Sequence, residues 1–335
     1  MRAIVCRGWG ELESLRLEEL PSPPLRPRTI RIGVRACGAN FADVLLTRGE
    51  YQEKPPFPFS PGMEVSGVVL EVGEAGMPGD KLDGFEAGDR VLAFLDHGGY
   101  AEEVVVNVAD TTRLPETMSF AEAAGFPVAY GTSHLALRHR ADLRPGETLL
   151  VHGASGGVGL TAVEIGKALG ATVIATASTA GKLQIASDHG ADHLINYATE
   201  DIRERVLALT EGVDVVYDPV GGDAFTASLR CINPGGRILV IGFASGTVPQ
   251  IPANHLLVKD ASVLGLSLGQ LRHHRPEVVH EAMTEALSWY AEGKLRPLVS
   301  ATFDLADAPQ AMALLRDRKA TGKVVVLVGD GAEDA

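Results

Sequence analysis

The stretch VHGASGGVGL, residues 151–160, decides how this chain is read. The apolar run TLLVHG enters it and the helical pattern TAVEIGKALG leaves it, so the glycines sit in a strand-to-helix turn. Ala154, Gly156 and Gly159 occupy the three positions of a GxGxxG turn, with alanine in the first. Such a turn carries little side chain because its backbone must approach a pyrophosphate at the helix N-terminus. Glycine turns also arise for packing alone, so the surroundings have to decide. No Lys-Ser or Lys-Thr pair follows the glycines, which excludes a P-loop.

The surroundings repeat the unit. TVIATA, HLINY, VDVVYD, GRILVIG and SVLGLSLG are five further short apolar strands, and most gaps between strands carry a helical pattern, as at 156–170 and 199–209. That alternation predicts a parallel sheet with crossover helices. Residues 125–268 are therefore expected to form a Rossmann doubly wound, six-stranded parallel sheet, with Ser155, Gly156, Gly157, Val158 and Gly159 against a dinucleotide. Before it, TIRIGVRACG, EVSGVVLEVGE, DRVLAF and YAEEVVVNV are separated by Gly, Pro and Asp turns, which predicts a mostly antiparallel, partly barrel-like domain. After Gly269 come a helix at about 276–292, another at 307–317 and a last strand, KVVVLV. The six-strand unit is already full, so this tail is expected to complete the first domain. The fold class is α/β, with 1–124 and 269–335 in one domain and 125–268 in the other.

Composition agrees with a two-domain globular chain: 335 residues, 45% hydrophobic and 22% charged. A formal net charge of −13 repels phosphate backbones and anionic lipid, so neither nucleic acid nor a membrane is an expected partner. Cys6, Cys37 and Cys231 are odd in number and far apart, which writes neither a disulfide framework nor a CxxC metal site. The N-terminus lacks a signal-peptide pattern, no apolar run reaches spanning length, and a cytoplasmic location is expected.

An NAD-binding unit places a carboxylate about 20 residues past the glycines, on the ribose hydroxyls. Here that position holds Ser178, within IATASTAGK, 174–182. Ser178 and Thr179 offer hydroxyls and Lys182 a cation, a set that suits a 2′-phosphate, so NADPH is the expected coenzyme. The same residues also fit a plain helix cap beginning α-structure at Ala180, with Lys182 in solvent.

In VHGASGGVGL, GMEVSG, the ending ATGKVVVL and the two-domain layout, residues 1–328 resemble the quinone oxidoreductase (zeta-crystallin-like) branch of the zinc-free medium-chain dehydrogenase/reductases. The resemblance implies a GroES-like substrate domain, a nucleotide domain with a cleft between the two, and NADPH-dependent reduction of quinones or activated alkenes. Zinc alcohol dehydrogenases share the scaffold, but their cysteine position holds Asn40, in ACGANFAD, and their histidine position Met63, in PGMEVSG. Their structural-zinc cysteines are missing as well, since no cysteine lies between Gly73 and Ala101. Asp43 and Glu64 persist, read as hydrogen-bonding groups of the cleft wall. Adjacent histidines in RHHR, 272–275, have no third ligand nearby in sequence and are read as a solvated loop, so no metal is expected.

By resemblance, Thr132 and Phe243 lie by the nicotinamide, Leu266, Ser267 and Leu268 on its amide side, and Tyr197 beside the adenosine phosphate. Tyr197 also reads as an ordinary strand-end aromatic. Asn40 and Tyr51 match acceptor-orienting positions, whereas Leu45 replaces a family tyrosine. Asn40 equally fits a cap of a helix at 41–48, and Tyr51 a loop aromatic. The expected reaction is hydride transfer to a quinone or conjugated carbonyl. An enoyl-type reductase of a thioester or acid, and a non-catalytic, crystallin-like NADPH-binding protein, stay open. The apolar edge ASVLGLSLG predicts a homodimer through the last strand.

Overall fold

The computed structural model describes residues 1–74 and 84–329; the stretch 75–83, part of the cysteine-free segment noted above, and the tail 330–335 lie outside the described residues. The chain packs as two units: Met1–Val128 with Arg272–Met283 and Pro297–Ala335, and Ala129–Leu271 with Thr284–Arg296.

The first unit opens with a small antiparallel pair, β1 (Arg2–Val5) and β2 (Arg16–Glu19). Then come β3 (Thr29–Ala39), α1 (Phe41–Thr47), β4 (Glu64–Val72), β5 (Arg90–Phe94), β6 (Glu103–Asn107), β7 (Thr111–Arg113) and α2 (Phe120–Ala124). Buried and half-buried residues alternate over most of β3, as expected of a strand with one face on a core. Its central residues Ile30, Ile32, Val34 and Cys37 enter a core with Val65, Val91 and Tyr100.

The second unit begins inside α3 (Phe126–His134) and runs β8 (Thr148–Val151), α4 (Gly157–Ala168), β9 (Thr172–Ala177), α5 (Ala180–Asp188), β10 (His193–Asn196), α6 (Ile202–Leu209), β11 (Val213–Asp218), α7 (Gly222–Cys231), β12 (Ile232–Val240), α8 (Ala253–Lys259) and β13 (Ser262–Gly265). All ladders of its sheet are parallel, in the order β10-β9-β8-β11-β12-β13. This is the doubly wound order, with the strand reversal beside β8. Strands covered on both faces should be apolar throughout rather than alternating, and β9 buries five consecutive residues from Val173 to Ala177. The expected sixth strand is shorter than the apolar run SVLGLSLG: it stops at Gly265, Leu266 and Ser267 are irregular, and Leu268 begins α9 (Leu268–His274). The Ser267 hydroxyl accepts from Gln270 N at 3.3 Å, so a cap ends the apolar run before the pattern does.

The tail contributes α10 (Pro276–Ala291), β14 (Val299–Asp304), α11 (Ala308–Arg316) and β15 (Lys323–Leu327). β15 pairs antiparallel with β3, Val324 facing Ala39, and parallel with β14, closing the seven-stranded order β14-β15-β3-β4-β5-β7 with β6 on β3. The sequence carries the whole stretch 269–335 to this sheet, yet Thr284–Arg296 packs in the second unit. There Glu285 Oε2 lies 2.7 Å from His134 Nε2, the Trp289 ring lies tilted with its centroid 5.3 Å from that of His134, and Arg296 N donates to Glu164. These pairings between residues distant in sequence are invisible to periodicity. Cys6, Cys37 and Cys231 are free and buried. No described helix is long and apolar enough to cross a membrane.

Candidate active site

In the second unit, β8 delivers the glycine turn. Gly153 takes φ +57°, a left-handed value favouring glycine, and a Cβ on Gly159 would stand 2.1 Å from the Gly153 carbonyl oxygen. Helix and turn can touch only because Gly159 has no side chain. Ser155 is buried, Gly156 is the N-cap of α4, and Gly157, Val158 and Gly159 form its first turn, so backbone N–H groups rather than side chains head the helix. Three hydroxyls hold the helix in place: Ser133 Oγ lies 2.7 Å from Thr161 Oγ1, 2.9 Å from Tyr217 Oη and 3.0 Å from Val158 O. Ser133 follows Thr132 in α3, so this network also fixes that residue's helix. Sequence reasoning missed all three; polar positions inside apolar runs were the one available signal. His152, at the end of β8, is buried between Thr176 and Ser228, and burial lowers its pKa.

Ser178 directly follows β9. Thr179 caps α5, its hydroxyl accepting from Lys182 N at 3.3 Å, as the cap reading of this stretch expects. Tyr197 lies just beyond β10 and its N–H donates to Ala177 O at 3.2 Å, so Ser178 and Tyr197 end neighbouring strands, with Tyr197 47% exposed. Phe243 lies in the loop after β12, beside the turn after β11 that Asp218 shapes by accepting from Val220 N and Gly221 N at 2.8 and 2.9 Å. The glycine turn, Ser178, Tyr197, Phe243 and Leu266–Leu268 all follow carboxyl ends of strands, where open α/β sheets bind their ligands.

In the first unit, the end of β3, the start of β4 and the start of β15 meet around a buried ion pair. Lys323 Nζ donates to Glu64 Oε1 at 2.7 Å, Asn40 Oδ1 at 2.8 Å and Ala39 O at 3.0 Å, three acceptors for the three protons of an ammonium. Glu64 is fully buried; its Oε1 also accepts from Asn40 Nδ2 at 2.8 Å and its Oε2 from Val128 N, in the first turn of α3, at 2.7 Å. Asn40 Nδ2 reaches Gly38 O as well, at 3.2 Å. Both amide protons of Asn40 are therefore held inside the protein, which leaves neither for an acceptor oxygen in this arrangement. Beside it Asp43, fully buried, accepts from Asn40 N, Tyr100 Oη and Gly62 N. Burial outweighs these donors and pushes the Asp43 carboxyl up to about 7. Tyr51 packs half-buried against the same core, and burial, then the Glu53 carboxylate, pushes its phenol up.

The RHHR run departs from the expected solvated loop. Arg272, His273 and His274 form the last turn of α9, with Arg272 buried, its Nε 3.2 Å from Asp110 Oδ1 and its Nη2 on Asp96. Tertiary folding brings Glu53 and Asp96 to His273, with potential ligand atoms within 4.8 Å of one another. Arg272 already pairs with Asp96 in that group, and the His273 and Asp96 side chains are 47% and 43% exposed.

Comparison with known proteins accords with this geometry. Residues 26–116 match the alcohol dehydrogenase GroES-like domain and 157–288 the zinc-binding dehydrogenase family model. Over 330 residues the chain is 41% identical to a quinone oxidoreductase-like protein 2 homolog of Nematostella vectensis, covering 97% of this chain and 88% of that protein. The chain belongs to the zinc-free quinone oxidoreductase branch of the medium-chain dehydrogenase/reductases. Among solved structures, the Escherichia coli quinone oxidoreductase complexed with NADPH is similar at TM-score 0.89 and 32% identity, covering 98% of this chain and all 100% of that one. The Thermus thermophilus quinone oxidoreductase, also solved with NADPH, is similar at TM-score 0.85 and 37% identity, over 98% and 100% of the two chains.

For this branch member, the zinc-ligand positions noted in the sequence raise a direct question of fit. Asn40 and Met63 supply no thiolate or imidazole, Met63 is buried, and the Lys323 ammonium already lies against Asn40 and Glu64. These residues do not fit a zinc ion. The raised Asp43 carboxyl has a measurable consequence. A carboxyl whose folded pKa lies above its unfolded 3.8 contributes stability that is fully present below the unfolded value and is lost as pH rises through about 7. The thermal midpoint of the protein is therefore expected to fall between about pH 5 and pH 8 more steeply than that of Asp43→Asn. Equal slopes in the two proteins would contradict the assignment.

Proposed function

We propose that this chain is an NADPH-dependent oxidoreductase that passes hydride to a quinone or another conjugated carbonyl, with no metal in the reaction. The observation that carries the reading is the cluster in which Lys323, Asn40 and Glu64 satisfy one another where zinc relatives hold their metal. The names of the relatives support the acceptor class. Bound NADPH supplies the hydride, and the chain has to hold it, orient the acceptor and exclude water. The head of α4 faces the pyrophosphate; Ser178 and Lys182 take the 2′-phosphate, which a carboxylate at Ser178 would repel. Tyr197 flanks that phosphate, while Thr132, Phe243, Leu266, Ser267 and Leu268 border the nicotinamide.

On the acceptor side, Tyr51 donates its phenolic hydrogen bond to the oxygen that gains charge as hydride arrives. Water can complete protonation, so no obligatory acid is required. Asn40 supports this side from within the buried cluster. The protein acts as a cytoplasmic homodimer. β13 is an edge strand, and α8 just before it leaves Leu257 and Val258 82% and 85% exposed, so two-fold pairing with a second copy would cover both edge and helix.

Three measurements test this reading. Lys182→Ala should weaken NADPH binding by about 1 to 3 kcal/mol and leave NADH nearly unchanged in a titration; equal losses would reject the phosphate role. Tyr51→Phe should lower quinone turnover by less than about 10²-fold. A larger loss confined to enoyl substrates, with poor wild-type activity on quinones, would promote the enoyl reductase reading, and bound NADPH that neither class oxidises would mark a binding protein. Light scattering should give twice the chain mass at micromolar concentration, and a monomer would refute the edge-strand dimer.

A further inference from the structure

Asn40 and Met63 stand where the alcohol dehydrogenases that this chain resembles hold zinc ligands, and here a cation of the chain's own lies against Asn40 and Glu64. We propose that Lys323 is a positioning residue: its ammonium is the resident cation of the Asn40–Glu64 cluster and sets the orientation of the groups behind the acceptor side, an inference that rests on the reaction proposed above for its catalytic meaning.

The β15–β3 register delivers it. Val324 faces Ala39 and Val325 faces Gly38, so continuing the ladder by one residue sets Lys323 opposite Asn40. Only 7% of Lys323 is exposed, and its three protons meet one backbone carbonyl, one amide oxygen and one carboxylate oxygen. An ammonium can only donate, so the Asn40 oxygen must turn toward it and the Asn40 nitrogen toward Glu64 and Gly38. Glu64 in turn has one oxygen in this cluster and the other on Val128 N at the head of α3, the helix that carries Thr132. One carboxylate thus joins Asn40 to the first turn of α3. Its pairing with Lys323 is what allows that carboxylate to lie fully out of water. The ligand atoms here are all oxygens, and a fixed positive charge stands among them, so the cluster repels a dication instead of gathering one.

A purely structural ion pair and a positioning cation make different predictions when both charges are removed. Lys323→Met alone leaves a buried carboxylate unpaired and should lower the thermal midpoint. Lys323→Met combined with Glu64→Gln removes both charges and should restore much of that midpoint. On the positioning reading the double variant nevertheless stays down by about 10-fold or more in kcat/KM for the preferred acceptor, at an NADPH Kd within about threefold of the parent. The sequence has five asparagines, so the side-chain amide of Asn40 can be followed directly in protein labelled with 15N-asparagine; in the double variant it should shift and exchange faster with water. Recovery of both midpoint and kcat/KM, or an Asn40 amide signal unchanged from the parent, would overturn the proposal. If the parent protein reduces no quinone or enone, the proposed reaction fails on that result, while the Asn40 signal still decides whether Lys323 positions it.

Discussion

An ammonium and a carboxylate 2.7 Å apart, both out of water, set the terms for the first unit. Desolvating two ions is costly, and such a pair persists only where every proton and lone pair finds a partner. Here Lys323 spends its protons on Glu64, Asn40 and Ala39, and Glu64 uses its second oxygen on the Val128 N–H. Four chain segments, at residues 39–40, 64, 128 and 323, are held to one geometry by one charge pair. That geometry requires β15 in its observed register, so the last described strand is as much part of the polar cluster as of the sheet.

The second unit depends on a different constraint, the contact of backbone with backbone. Gly159 lets α4 close on the turn at Gly153, and the Ser133, Thr161 and Tyr217 hydroxyls lock that helix against α3 and β11. The sheet around it is apolar enough to be buried on both faces, so polar groups within it survive only when fully matched. His152 is such a group, bonded on both nitrogens, with its pKa lowered by burial. The candidate coenzyme-binding residues of this unit follow the strand ends.

Much of the candidate site was legible because its residues act through near neighbours. Gly153 to Gly159, Ser178, Thr179 and Tyr197 each follow a strand whose apolar run is visible, and the hydroxyl cap at Thr179 is readable from three residues. The misreadings came where a local pattern was overruled from afar. The run SVLGLSLG keeps its apolar character past the point at which Ser267 starts a helix. RHHR looks solvated until Asp96 and Asp110 arrive to bury Arg272. Asn40 looked like a donor for an acceptor oxygen until Glu64 and Gly38 took both of its amide protons.

By itself the sequence determined the doubly wound sheet, the coenzyme-type turn and the absence of zinc ligands at Asn40 and Met63, because hydrophobic period, glycine placement and ligand chemistry are properties of short stretches. Only the tertiary structure decided what surrounds Asn40 and Glu64. Lys323 is 259 residues from Glu64 and 283 from Asn40 along the chain, and no spacing rule reaches that far. The pairing exists because a strand near the end of the chain completes a sheet begun near its start, and the ladder register, not the local sequence, sets an ammonium against a carboxylate.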